Sequence, residues 1–271
     1  MVDFDWSDIG SDLVGGIFEV ANTGLNAGLE YLTDILKKAM TITVPINSFF
    51  SSWTLIIYLI SMFYGLVFIY IGYTFMTAGD NIEQRVKAKI LLKNFIMIVL
   101  AVQMSFFIYG LIIDLANVMT VGVFNLIDPD FFLISLDGGL DQVIEFLLGV
   151  VHALVLLANI SLVGMRLIMC GMGVIIFPVG LIFYFIPFLR GYGKFILSFL
   201  MTLIFMPMIN SFILFSASVI WNTGFLGNSL LFVISAFSVI IFIDILIIFF
   251  VVIKSALAIS STANIVKHMV R

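Results

Sequence analysis

Four ionisable residues interrupt otherwise apolar stretches of this 271-residue chain, at Asp114, His152, Arg166 and Asp244, and Asn159 stands two turns beyond His152. A charged side chain at the middle of a bilayer costs on the order of 3 kcal/mol or more, so such groups face other helices, water or one another. Arg166 and Asp244 carry opposite charges, and the pattern predicts that they meet across two helices, either as a packing pair or as a pore feature. His152 and Asn159 are seven residues apart and share a helical face. They could line a wet path, but we read them as hydrogen-bonded core residues. Asp114 falls near the end of its apolar run, where a carboxylate can stay hydrated.

No enzyme spacing accompanies these groups. The chain has no His-Glu-x-x-His, no phosphate loop and no Gly-x-Ser-x-Gly. Gly171 and Gly173 imitate the start of a dinucleotide fingerprint, but Ile176 occupies the third glycine position. The Arg190-Gly191-Tyr192-Gly193 run imitates a potassium filter, except that a cation beside the carbonyls would repel the ion. The expectation is therefore a protein that is not an enzyme and needs no cofactor. Cys170 stands alone, so an internal disulfide is excluded and a thiolate metal site is not expected.

Composition says what must position these residues. With 63% apolar residues and only 10% charged, the chain is an integral membrane protein. The stretch 142–188 is nearly devoid of charge yet exceeds the roughly 20 residues that one helical crossing needs. Gly171, Gly173 and Pro178 predict a break or kink in its second half. The spare length after Arg166 would be a re-entrant or tilted piece.

The amino terminus opens with Asp3, Asp5, Asp8 and Asp12 in place of a basic region, so it reads as a retained segment and not a signal peptide. Residues 1–44 form an external amphipathic segment. Asp8, Asp12, Glu19, Asn26, Glu30 and Lys37 make its polar stripe, and Val14, Ile17, Ala21, Leu32 and Ile35 its apolar face. Gly24 and Gly28 either admit a second helix closely or, with Gly15 and Gly16, break this one.

Residues 45–271 form one transmembrane domain. Spans are expected at 49–77, 95–119, within 142–188, at 195–221 and at 229–253. Asp80 and Glu83 have the spacing of a capping box at the start of the second helix. Arg85, Lys87, Lys89 and Lys93 form the densest basic cluster, and Arg190 and Lys194 form another. Both should be cytoplasmic because orientation follows the Lys and Arg of short loops. They would anchor the helices at anionic headgroups, with nucleic-acid or partner contact as the other reading. The loop at about 120–141 is acidic, short and external. Five α-helical spans result, with the amino end outside and the carboxyl end in the cytoplasm; a six-span arrangement would strand Arg190 and Lys194 outside.

The sequence Phe177-Pro178-Val179-Gly180-Leu181, followed by Ile186-Pro187-Phe188-Leu189-Arg190-Gly191-Tyr192-Gly193-Lys194 and an apolar span, resembles the proline, loop and basic turn of the TrbL-like polytopic inner-membrane subunits of type IV secretion and conjugation systems. The turn from Gly79 to Lys93 is similar to that of archaeal and Gram-positive members, including the CedA-type DNA-import relatives. The resemblance implies a subunit of a DNA or protein transfer channel in the cell membrane. It also implies partner ATPases and pilus components, a homo-oligomeric state, and nucleic acid as a possible substrate in transit. A small-molecule or ion permease and a scaffold without a conduit are the alternatives.

Overall fold

The computed structural model describes residues 6–79, 82–132, 142–186, 189–223 and 230–269, which include seven α-helices and no strand. They are α1 (Trp6–Thr41), α2 (Phe50–Thr77), α3 (Ile82–Gln103), α4 (Ser105–Phe124), α5 (Gln142–Phe185), α6 (Arg190–Asn222) and α7 (Leu230–Met269), with short 3-10 turns at Ile46–Phe49 and Pro129–Phe132. Five stretches are long and apolar enough to cross a bilayer: Ile46–Thr77, Ser105–Phe124, Phe146–Phe185, Arg190–Asn222 and Leu230–Lys254. The protein is a polytopic all-α membrane protein with the expected five spans. Asp80 of the capping box, residues 133–141 of the acidic loop, Pro187 and Phe188, and most of the turn after Asn222 lie outside the described residues.

Three expectations need correction. The apolar run at 95–119 is divided at Met104, so its first third belongs to the basic helix α3 and the span is Ser105–Phe124. The hydrogen bonds Met104 N to Leu100 O and Ile108 N to Met104 O, at 3.0 Å each, carry the backbone through that point.

Second, α5 is one helix of 44 residues with Pro178 inside it, so neither the break nor the re-entrant piece is present. The glycines serve packing instead. A Cβ at Gly171 would lie 2.5 Å from the Phe49 ring, one at Gly173 would strike the Tyr109 hydroxyl, and one at Gly180 would come within 2.7 Å of Ile196. A glycine costs a helix only about 1 kcal/mol, which such close approach offsets.

Third, α1 runs unbroken through all five of its glycines, and among the residues whose burial is described a different face is buried. Leu29, Thr33, Leu36 and Met40 are the buried residues, with Leu25 and Leu32 beside them. At 100° per residue this face is turned by about a quarter turn from the predicted one, towards the polar stripe. Lys37, assigned to that stripe, sits with its ammonium 4.5 Å from the centre of the Phe132 ring.

The chain divides into two compact units. The first comprises residues 1–42, 117–165 and 206–245; the second comprises 43–116, 166–205 and 246–271. All of α1 shares its unit with parts of the spanning helices. Phe131, Leu156, Leu214, Val233, Phe237 and Ile240 complete the core around the α1 residues. The second unit is built around Trp53, Val102, Tyr109, Cys170, Val174, Phe177 and Leu203. There the Trp53 indole donates to Ser105 Oγ at 2.9 Å, and the Tyr109 hydroxyl donates to the Cys170 carbonyl at 2.8 Å.

Candidate functional site

Polar side chains collect in the interior of the first unit. His152 and Asn159 come from α5, Asn210, Ser211 and Ser218 from α6, and Asp244 from α7, all buried. In an apolar interior each must find a partner or carry the cost of an unmade hydrogen bond. Asn159 donates to its own helix at Val155 O, 2.9 Å, and across to the backbone carbonyl of Phe237 on α7, 3.3 Å. Asn210 donates from Nδ2 to Asp244 Oδ2 at 3.0 Å, joining α6 to α7. Ser211 returns its hydroxyl proton to the carbonyl of Pro207, 2.8 Å away.

His152 is only 4% exposed, and its ring centre lies 5.7 Å from that of Phe237. Its Nδ1 is buried without a hydrogen-bond partner, as is Oδ1 of Asn210. The imidazole thus lies in the core without a hydrogen bond at Nδ1. At one end of the unit the loop after α4 is tied to α6, because Asp128 N donates to Ser218 Oγ at 3.1 Å and Asn222 Nδ2 donates to Asp128 Oδ2 at 3.0 Å.

No family model matches this chain, and no curated protein or solved structure matches it. Its function must therefore be argued from its own residues.

Arg166 and Asp244 belong to different units. Within its own unit Arg166 is half-buried on α5, one turn before the buried Cys170. Asp114 is exposed on α4. Arg85, Lys87, Lys89 and Lys93 are all exposed on α3, as are Arg190 and Lys194 at the start of α6. The Arg190 guanidinium lies 5.3 Å from the centre of the Tyr184 ring. Among the described residues no three His, Cys, Asp or Glu side chains gather as a metal site would need.

Asn210 is the residue that sequence reasoning missed. Its signal was present: Asn210 and Ser211 stand together in the apolar run of α6, and a polar pair at that depth asks for a partner on another helix.

Proposed function

We propose that the chain is a non-enzymatic membrane subunit of a type IV secretion-like machine that transfers DNA or protein, in the manner of the TrbL-like family. The observation that supports this reading is the connection between α5 and α6, because the residues that carry the resemblance are those that make it tight. A Cβ at Gly193 would strike the backbone of Tyr184 and come within 2.6 Å of the Phe183 carbonyl carbon, while Gly180 faces Ile196. Arg190 opens α6 and Lys194 follows one turn later, near the end where cations oppose the helix dipole at a cost of up to about 0.3–1 kcal/mol each. Helix stability does not account for them; a cytoplasmic, positive-inside turn does. In this reading the amino end lies outside and the carboxyl end in the cytoplasm. Secretion ATPases, pilus components and further copies of the chain are the partners.

The test is purification from the native membrane under mild detergent. Co-purification with an ATPase and pilus subunits, together with loss of transfer when the chain is deleted, is the expected result. A lone particle that binds or moves a small solute would replace this reading with a permease, which the buried Asn159, Asn210 and Asp244 of the first unit would then serve.

A further inference from the structure

The division of the apolar run at Met104 changes the depth of Asp114. With the span at Ser105–Phe124, Asp114 is the tenth of 20 residues and no longer lies near the end of its run. At 1.5 Å per residue about 15 Å of helix stands on either side of it, half the thickness of a hydrocarbon core. Counting the apolar residues before Met104 as well leaves Phe124 as the nearer end, so the depth stands. Lysine and arginine can reach the interface from inside a membrane along their flexible stems, but a carboxylate one methylene from the backbone cannot.

The protein's own helices do not cover this residue. Ser105, Tyr109, Ile113 and Ala116 form the buried face of α4. Asp114 is exposed, and Phe107, Leu111 and Leu115, exposed by 67%, 70% and 55%, share its face at steps of three and four. An outward carboxylate ringed by apolar side chains at mid-span would be left uncompensated by hydrocarbon. We propose that this face of α4 docks a spanning helix of a second protein, one that is apolar around the contact and carries an arginine or lysine at mid-membrane depth. Charge complementarity names the occupant, because a cation fixed at that depth meets the same penalty alone and both are relieved together. A further copy of this chain does not supply it. Among the described residues Arg190, Lys194 and Lys254 stand near the ends of their spans, and Arg166, near the middle of its own, is half-buried with Nε and Nη1 enclosed. The inference does not depend on the secretion reading.

The test uses the full chain, Cys170→Ser with a donor dye on Asn125→Cys, reconstituted into zwitterionic vesicles. The probe is a leucine-rich host peptide long enough to span, with an acceptor dye and either arginine or leucine at its centre. Energy transfer should show the arginine peptide associating about 5- to 30-fold more tightly than the leucine peptide, the range expected of one interhelical polar contact. Asp114→Leu should abolish that preference and Asp114→Glu should keep it. Leu111→Trp, which obstructs the face and leaves the carboxylate in place, should weaken binding of the arginine peptide. Circular dichroism and gel filtration confirm that the variants fold. Equal association of the two peptides, or a preference that survives Asp114→Leu, overturns the proposal. So does energy transfer between copies of the chain that is lost with Asp114→Leu and indifferent to the arginine peptide, which would make the occupant a second copy.

Discussion

Asn210 on α6 donates to Asp244 on α7 at 3.0 Å, and the two side chains are 2% and 3% exposed. A hydrogen bond to a charged acceptor is worth about 1.5–3 kcal/mol, and removing the donor leaves a buried oxygen to carry the loss. Asn210→Leu should therefore destabilise the protein by about 2 kcal/mol, although the new side chain is more apolar. Asn210→Asp, which sets two carboxyl groups against each other, should cost more. Steric-trapping or denaturant unfolding in bicelles measures both, and a neutral Asn210→Leu would show that Asp244 is held by other groups.

Gly193 packs against the backbone of Tyr184, whereas Gly171 faces the tip of the Phe49 ring. Backbone cannot step aside, but a ring can rotate. Gly193→Ala should thus cost on the order of 3 kcal/mol or prevent folding, and Gly171→Ala should cost about 1 kcal/mol or less. Relative thermal midpoints in one detergent decide the order. Equal losses would mean that the α5–α6 connection yields more easily than its geometry implies.

What the sequence made legible follows from the reach of each physical signal. The five spans could be read because about 20 apolar residues in a row have few other uses. The continuity of α5 could not, since Gly171, Gly173 and Pro178 read locally as helix breakers while the side chains that fill the space beside them, Phe49, Tyr109, Leu200 and Ile196, are distant in sequence. The buried face of α1 was misplaced for a related reason. Periodicity ranked Asn26 and Lys37 by polarity alone, and the Phe132 ring under Lys37 comes from another element. Asp128, Ser218 and Asn222 were likewise invisible as a group, because what unites them is a loop folding back on α6.

Nothing lies within 4 Å of a Cβ added at Gly24 or Gly28 of α1. In an isolated protomer, Gly24→Ala and Gly28→Ala should each stabilise the helix by about 0.5–1 kcal/mol. If a second helix docks there, the same changes should weaken assembly while the monomer gains stability. Light scattering and melting of the same samples separate the outcomes; loss of monomer stability would contradict the open surface.

Orientation can be checked at exposed positions on a Cys170→Ser background. If both basic segments are cytoplasmic, Lys87→Cys and Tyr192→Cys should react only after the membrane is permeabilised, whereas Asn125→Cys should react in intact cells. Tyr192→Cys labelled from outside would discard the five-span wiring and the resemblance that rests on its basic turn.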